Sequence, residues 1–126
     1  MAEETQQTTV DIAELAREIV DIIADKKGEE IVLLDLRGRT IIADYFVVCS
    51  GGSERQLKAI VEGVTEEVKR DFGKSPRSVE GDANGGWVLI DYVDVVVHAF
   101  APEVRDFYDI EEFWMAQKAN VLLKMQ

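Results

Sequence analysis

The stretch Asp44-Tyr-Phe-Val-Val-Cys-Ser50, followed at once by Gly51-Gly52 and Ser53-Glu-Arg-Gln56, does most to limit the folds open to this chain. An unbroken run of aromatic and β-branched residues belongs in a strand buried on both faces. Two glycines stop it. S-E-R-Q then reads as a capping box, in which the Ser53 hydroxyl and the Gln56 side chain satisfy each other's free backbone donors. Leu57, Ile60/Val61, Val64, Val68 and Phe72 recur on one helical stripe as far as Gly73. A buried strand that feeds an amphipathic helix calls for a sheet with helices layered on it.

The flanking segments extend that pattern. Ile12, Leu15/Ala16, Ile19 and Ile22/Ile23 mark a first helix. Thr8 or Thr9 is its expected cap, and Lys26-Lys27-Gly28 its stop. Glu30–Asp35 is a buried strand and Ser78-Val79-Glu80 a short extended piece. Trp87–Asp91 and Val95–Phe100, separated only by Tyr92-Val93-Asp94, form an antiparallel hairpin. A helical turn over Glu103–Tyr108 leads to Asp109, expected to cap a last helix carrying Ile110, Phe113/Trp114, Val121 and Met125. The expectation is an α/β or α+β fold: a mixed sheet of about five strands with flanking helices. Residues 1–9 form a flexible tail, and residues 10–126 a single domain.

Charge and cysteine usage remove several function classes. Asp and Glu number 25 against 14 Lys and Arg, a net charge of −11, which opposes gripping nucleic acid through the general surface. Such a surface suits a basic partner. One Cys and one His leave no cluster for zinc, and no metal or cofactor is expected. No apolar run approaches the roughly 18 residues of a membrane helix, and the acidic start resembles no signal or transit peptide. The expected setting is the cytoplasm.

Four groups invite a chemical reading. Ser50-Gly51-Gly52-Ser53 has the outline of a phosphate cradle at a helix start, yet it matches neither G-x-x-x-x-G-K-[ST] nor G-x-G-x-x-G; a tight turn with a helix cap explains it as well. Asp91 and Asp94 are a carboxylate pair suited to a hard cation or to a partner, but Asp is also an ordinary turn residue. His98 sits in a strand of valines with no marked nucleophile, which favours packing over catalysis. Among the aromatics, Trp87 and Tyr92 flank turns and are the expected surface anchors, with Phe107, Tyr108, Phe113 and Trp114 mostly in the core.

Five ordered strings carry a resemblance: L-L-D-L-R, I-A-D-Y-F-V-V, S-G-G-S-E-R-Q, E-G-D-A-N-G-G-W-V-L-I-D-Y-V-D-V-V-V-H-A-F and R-D-F-Y-D-I-E-E-F-W. Together the chain resembles the ribosomal silencing factors, also called the Iojap family. The resemblance implies a nucleotidyltransferase-like topology without the catalytic carboxylates, hence no enzyme. It implies a translational repressor that binds the large ribosomal subunit through protein number fourteen on its intersubunit face and blocks the small subunit. It also implies a homodimer when free. Within the matching strings, the contact surface is expected at Glu80, Gly81, Trp87, Asp91, Tyr92 and Asp94, with Ser50, Gly51 and Ser53 nearby. Two features depart from the family pattern. Val93 replaces a usual glycine, and a β-branched residue resists positive φ there, so a different turn type or a reshaped hairpin tip is expected. Residues 115–126 continue where many members end, and are expected to extend the helix for packing or dimer contacts. The competing readings are a nucleotidyltransferase-like enzyme using Ser53 with Asp91/Asp94, and an adaptor that self-associates or binds another basic protein.

Overall fold

A computed structural model describes residues 11–126. The expected tail and the Thr8/Thr9 cap lie outside them. Asp11 caps α1 (Ile12–Asp25) instead, its carboxylate accepting from the N–H groups of Ala13 and Glu14. Lys27 takes the left-handed conformation after this helix (φ 69°), while Gly28 serves close approach, since a Cβ there would meet Ile23 Cγ2 at 2.3 Å.

Then follow β1 (Glu29–Asp35), β2 (Tyr45–Ser50), α2 (Glu54–Phe72), β3 (Ser78–Asp82), a 3-10 turn (Ala83–Gly85), β4 (Trp87–Asp91), β5 (Val95–Phe100), α3 (Pro102–Tyr108), α4 (Ile110–Ala116) and β6 (Asn120–Met125). The strands form one mixed sheet in the order β3-β4-β5-β2-β1-β6. Only β2 and β5 run parallel, joined by the crossover that contains α2; the other pairs are antiparallel. No helix among the described residues is long and apolar enough to cross a membrane.

The fold class is therefore the expected mixed α+β sandwich, with one strand more. Residues 120–125, read as the end of a helix, add a sixth strand against β1. Lys118 at φ 68° ends the preceding helical turn, so the reversal carries no glycine in the sequence. Asp109, itself at φ 49°, makes no side-chain cap bond, so it breaks the chain between α3 and α4 instead of capping. The capping box is half formed: Ser53 Oγ accepts from the Gln56 N–H at 3.1 Å, but the Gln56 amide donates to the Lys26 carbonyl and ties α2 to the end of α1.

Alternation along the strands sorts side chains onto two faces. Ile31, Leu33, Val47, Cys49, Val88, Ile90, Val95, Val97 and Ala99 meet α1 and α2 in the main core. Val32, Leu34, Phe46, Val48, Val96 and Phe100 face the other way, under Val104, Ile110 and Trp114 of the short helices α3 and α4.

The β4–β5 hairpin closes on Val93 at φ 77°, with the Asp94 N–H donating to the Tyr92 carbonyl at 2.9 Å, a γ-turn of the strained hand. The valine accepts the positive φ because neighbours brace it. Its N–H donates to Asp91 Oδ1 at 2.7 Å, and the Asp94 carbonyl accepts from the Asp44 and Tyr45 N–H groups. A left-handed β-branched residue costs about 1–2 kcal/mol, and glycine's extra freedom when unfolded returns about half of that. Val93→Gly should therefore raise stability by roughly 0.5–1 kcal/mol, read as a higher urea midpoint with an unchanged slope.

Candidate functional site

Strand pairing places Glu80, Leu89, His98, Val48 and Val32 in one row across the second face, and Asp82, Trp87, Phe100 and Ser50 in the next. At the β3–β4 corner this face is aromatic and thinly covered. The Trp87 indole stacks on Phe100 (centroids 4.9 Å apart, planes at 30°) and meets Tyr108 of α3 at 4.6 Å. Its Nε1–H donates to His98 Nδ1 at 3.2 Å. Phe107 stands edge-on to Tyr108 and is 80% exposed. Gly85, Trp87, Glu103, Val104, Phe107 and Tyr108 line a groove of about 340 Å³, with exposed Glu80 and Asp82 on the adjoining strand.

Several expected residues occupy this corner. Trp87 is half-buried, and Glu80 and Gly81 are exposed beside it. Gly81 is required by the backbone: its φ is 79°, and a Cβ would lie 2.2 Å from the Trp87 carbonyl oxygen. Asp91 shares the strand but points its carboxylate at Arg77, accepting from Nη2 at 2.6 Å, while the other oxygen holds the Val93 N–H. Burial alone would raise the Asp91 pKa, but Arg77 and the Val93 N–H outweigh it and hold the carboxyl below its usual range.

Three expectations are corrected. Tyr92, 2% exposed, is no surface anchor: its ring lies in the main core, where burial pushes its hydroxyl up to about 12. Asp94 belongs to the hairpin tip, at the opposite end of β4 from Trp87, and its carbonyl anchors the turn. Ser50 and Gly51 are buried and Ser53 is spent on the helix cap, so these three form no exposed patch with Trp87. Asp91 and Asp94 adjoin the start of β2 and Ser53 lies past its end, a strand length of roughly 15–20 Å away. That spacing separates the serine and carboxylates that a nucleotidyltransferase-like site would need together. Among the described residues no group of three or more His, Cys, Asp or Glu is placed to hold a metal ion.

The groups that sequence reasoning missed sit on α3. Phe107 and Tyr108, assigned to the core, form the outer wall of the groove. No local signal marked them, since adjacent apolar residues such as Ile22 and Ile23 of α1 are both buried. Arg105, on the inner side of the same helix, donates from Nη1 to Ser50 Oγ at 2.8 Å and from Nε to Glu111 at 2.5 Å, fastening α3 to β2 and α4. It also borders a larger cavity of about 490 Å³, lined by Glu30, Asp106, Asp109 and Lys124 together with Val32, Met115 and Val121.

His98 adds a pH dependence. Burial lowers its pKa to about 4, against an ordinary value of 6.5. Unfolding therefore takes up a proton below pH 6.5, and stability present at neutral pH is lost as pH falls toward 4. The expected loss between pH 7 and pH 4.5 is about 2–3 kcal/mol from this residue, seen as a falling urea midpoint. A histidine-free variant such as His98→Asn should flatten the curve across that window.

The fold and this corner define a mixed-sheet α+β domain whose Asp91 carboxylate is taken up by Arg77 and the Val93 N–H and whose Ser53 caps a helix, while its aromatic groups gather on one accessible face. Residues 9–126 match the family described as "Ribosomal silencing factor during starvation". The chain belongs to that family. It is 40% identical over 101 residues to the ribosomal silencing factor RsfS of Halalkalibacterium halodurans, spanning 80% of this chain and 86% of that one. A mouse protein, "Mitochondrial assembly of ribosomal large subunit protein 1", is 28% identical, over 76% of this chain and 43% of its own length. A crystal structure of a Chromobacterium violaceum protein superposes with a TM-score of 0.80 at 37% identity, covering 90% of this chain and 94% of that one.

Proposed function

We propose that this chain is a translational repressor that binds the large ribosomal subunit through protein number fourteen on its intersubunit face and keeps the small subunit from joining. Family membership carries the reading, and the mouse relative's name, which refers to the large ribosomal subunit, supports it. Residues 10–126 act as one unit, in the cytoplasm, without catalysis, and dimerise when free.

The contact surface in this reading is the Trp87 corner. Trp87, Tyr108 and Phe107 supply apolar area, and Glu80, Asp82 and Glu103 supply an acidic rim for a basic ribosomal protein. A net charge of −11 steers the encounter at low to moderate salt. The acidic outer surface then faces the phosphates of the arriving small subunit, so charge repulsion adds to steric exclusion. Inhibition works by occupancy, with no bond made or broken.

Sucrose gradients test this directly. Added protein is expected to sediment with isolated large subunits and to reduce joined ribosomes; absence from the large-subunit peak would refute the reading.

A further inference from the structure

We infer that His98 is the positioning residue of this docking face, holding the Trp87 indole in its binding orientation by accepting the indole N–H. The inference rests on the reading that Trp87 is an anchor, and adds the group that makes it one.

His98 lies one row from Trp87 on the neighbouring strand, a diagonal pair within reach of a long side chain. The hydrogen bond runs from Nε1 to Nδ1 at 3.2 Å. The imidazole is itself fixed, 4.5 Å from the Phe46 ring and stacked near-parallel with Phe100. Trp87 is thus constrained by Phe100, by Tyr108 and by one directional bond.

The other ring nitrogen shows what the histidine is for. Accepting at Nδ1 puts the ring proton on Nε2, and Nε2 is buried without a hydrogen-bond partner among the described residues. His98 is the only polar side chain in Val95–Phe100, where an apolar residue would leave no such orphan. An unsatisfied buried donor is a standing cost, and the Trp87 bond is what the structure gains from tolerating it. A pre-oriented ring loses less side-chain freedom on binding, an effect of about three- to tenfold in affinity for one large side chain.

The test compares His98→Asn, His98→Gln and His98→Leu in the full chain. Asn carries its amide oxygen near the Nδ1 position and can accept from the indole; Gln carries its amide near Nε2, and Leu has no acceptor. The indole N–H resonances of ¹⁵N-labelled protein report Trp87, with Trp114 as internal reference, and binding to isolated large subunits is measured on the same samples. The expected result is that the Gln and Leu variants shift the Trp87 resonance and bind about three- to tenfold more weakly, while Asn stays close to the parent in both. Should the Leu variant fail to fold, the Asn and Gln pair decides alone. An equal response to Asn and Gln overturns the proposal, as does an Asn variant that cannot fold, since His98 would then act by packing only. A shifted indole with unchanged affinity overturns it too, provided Trp87→Ala still weakens binding. If Trp87→Ala binds like the parent, the docking face itself is refuted and the positioning role goes with it.

Discussion

Trp87→Ala is expected to weaken association with the large subunit by more than about 1 kcal/mol, at least fivefold in Kd. The indole is the largest half-buried group on the face, and its loss removes the contact shared by Phe100, Tyr108 and His98. The same substitution should cost roughly 2 kcal/mol of stability, below the range for a fully buried tryptophan because one side is already open. Binding must therefore be measured well below the melting transition, with circular dichroism confirming the fold. Undiminished co-sedimentation by a folded variant would move the contact surface elsewhere on the molecule.

Arg105→Ala should have the larger effect on stability, about 3 kcal/mol. The Arg105 and Glu111 side chains are 10% and 13% exposed, and removing the cation leaves a mostly buried carboxylate and the Ser50 hydroxyl without their partner. Because Arg105 fastens the helix that carries Phe107 and Tyr108, ribosome binding should fall as well. Arg105→Lys keeps the charge but cannot reach Ser50 and Glu111 with separate nitrogens of one rigid fork, so it should recover only part of the loss. Urea unfolding provides the measurement. Arg70→Ala is the natural comparison: that side chain is 67% exposed and pairs with Glu67 and Asp71 on the surface, and no measurable change is expected. Equal midpoints for the two alanine variants would show that the Arg105 link is not structural.

Both long helices and the four central strands were legible because their apolar spacing is a local property. The stripe from Leu57 to Phe72 allows only one face inward, and the run from Tyr45 to Cys49 only a doubly covered strand. Residues 120–125 were not legible. Val121 and Met125 fit a helical stripe through Trp114 as well as a strand, and what decides is the open edge of β1, far away in the chain. The chain reversal is equally silent, since lysine occupies the left-handed position at 118.

The site divides along the same line. Glu80, Gly81 and Trp87 could be grouped from the sequence because a short loop returns β3 to β4. Tyr92 was misplaced because its position beside a turn suggests exposure, whereas strand alternation after Val88 and Ile90 sends its ring inward. The work of Ser50 depends on Arg105, 55 residues on, and no local pattern records that pairing.

The pairing of Ile31–Asp35 with Asn120–Met125 has a consequence for biosynthesis. As the chain is made, β1 emerges long before its outer neighbour exists, and its bare hydrogen-bonding edge must stay out of contact with other nascent chains. A chain that stops ahead of residue 120 would therefore leave the β1 edge unpaired and open to a strand from another molecule.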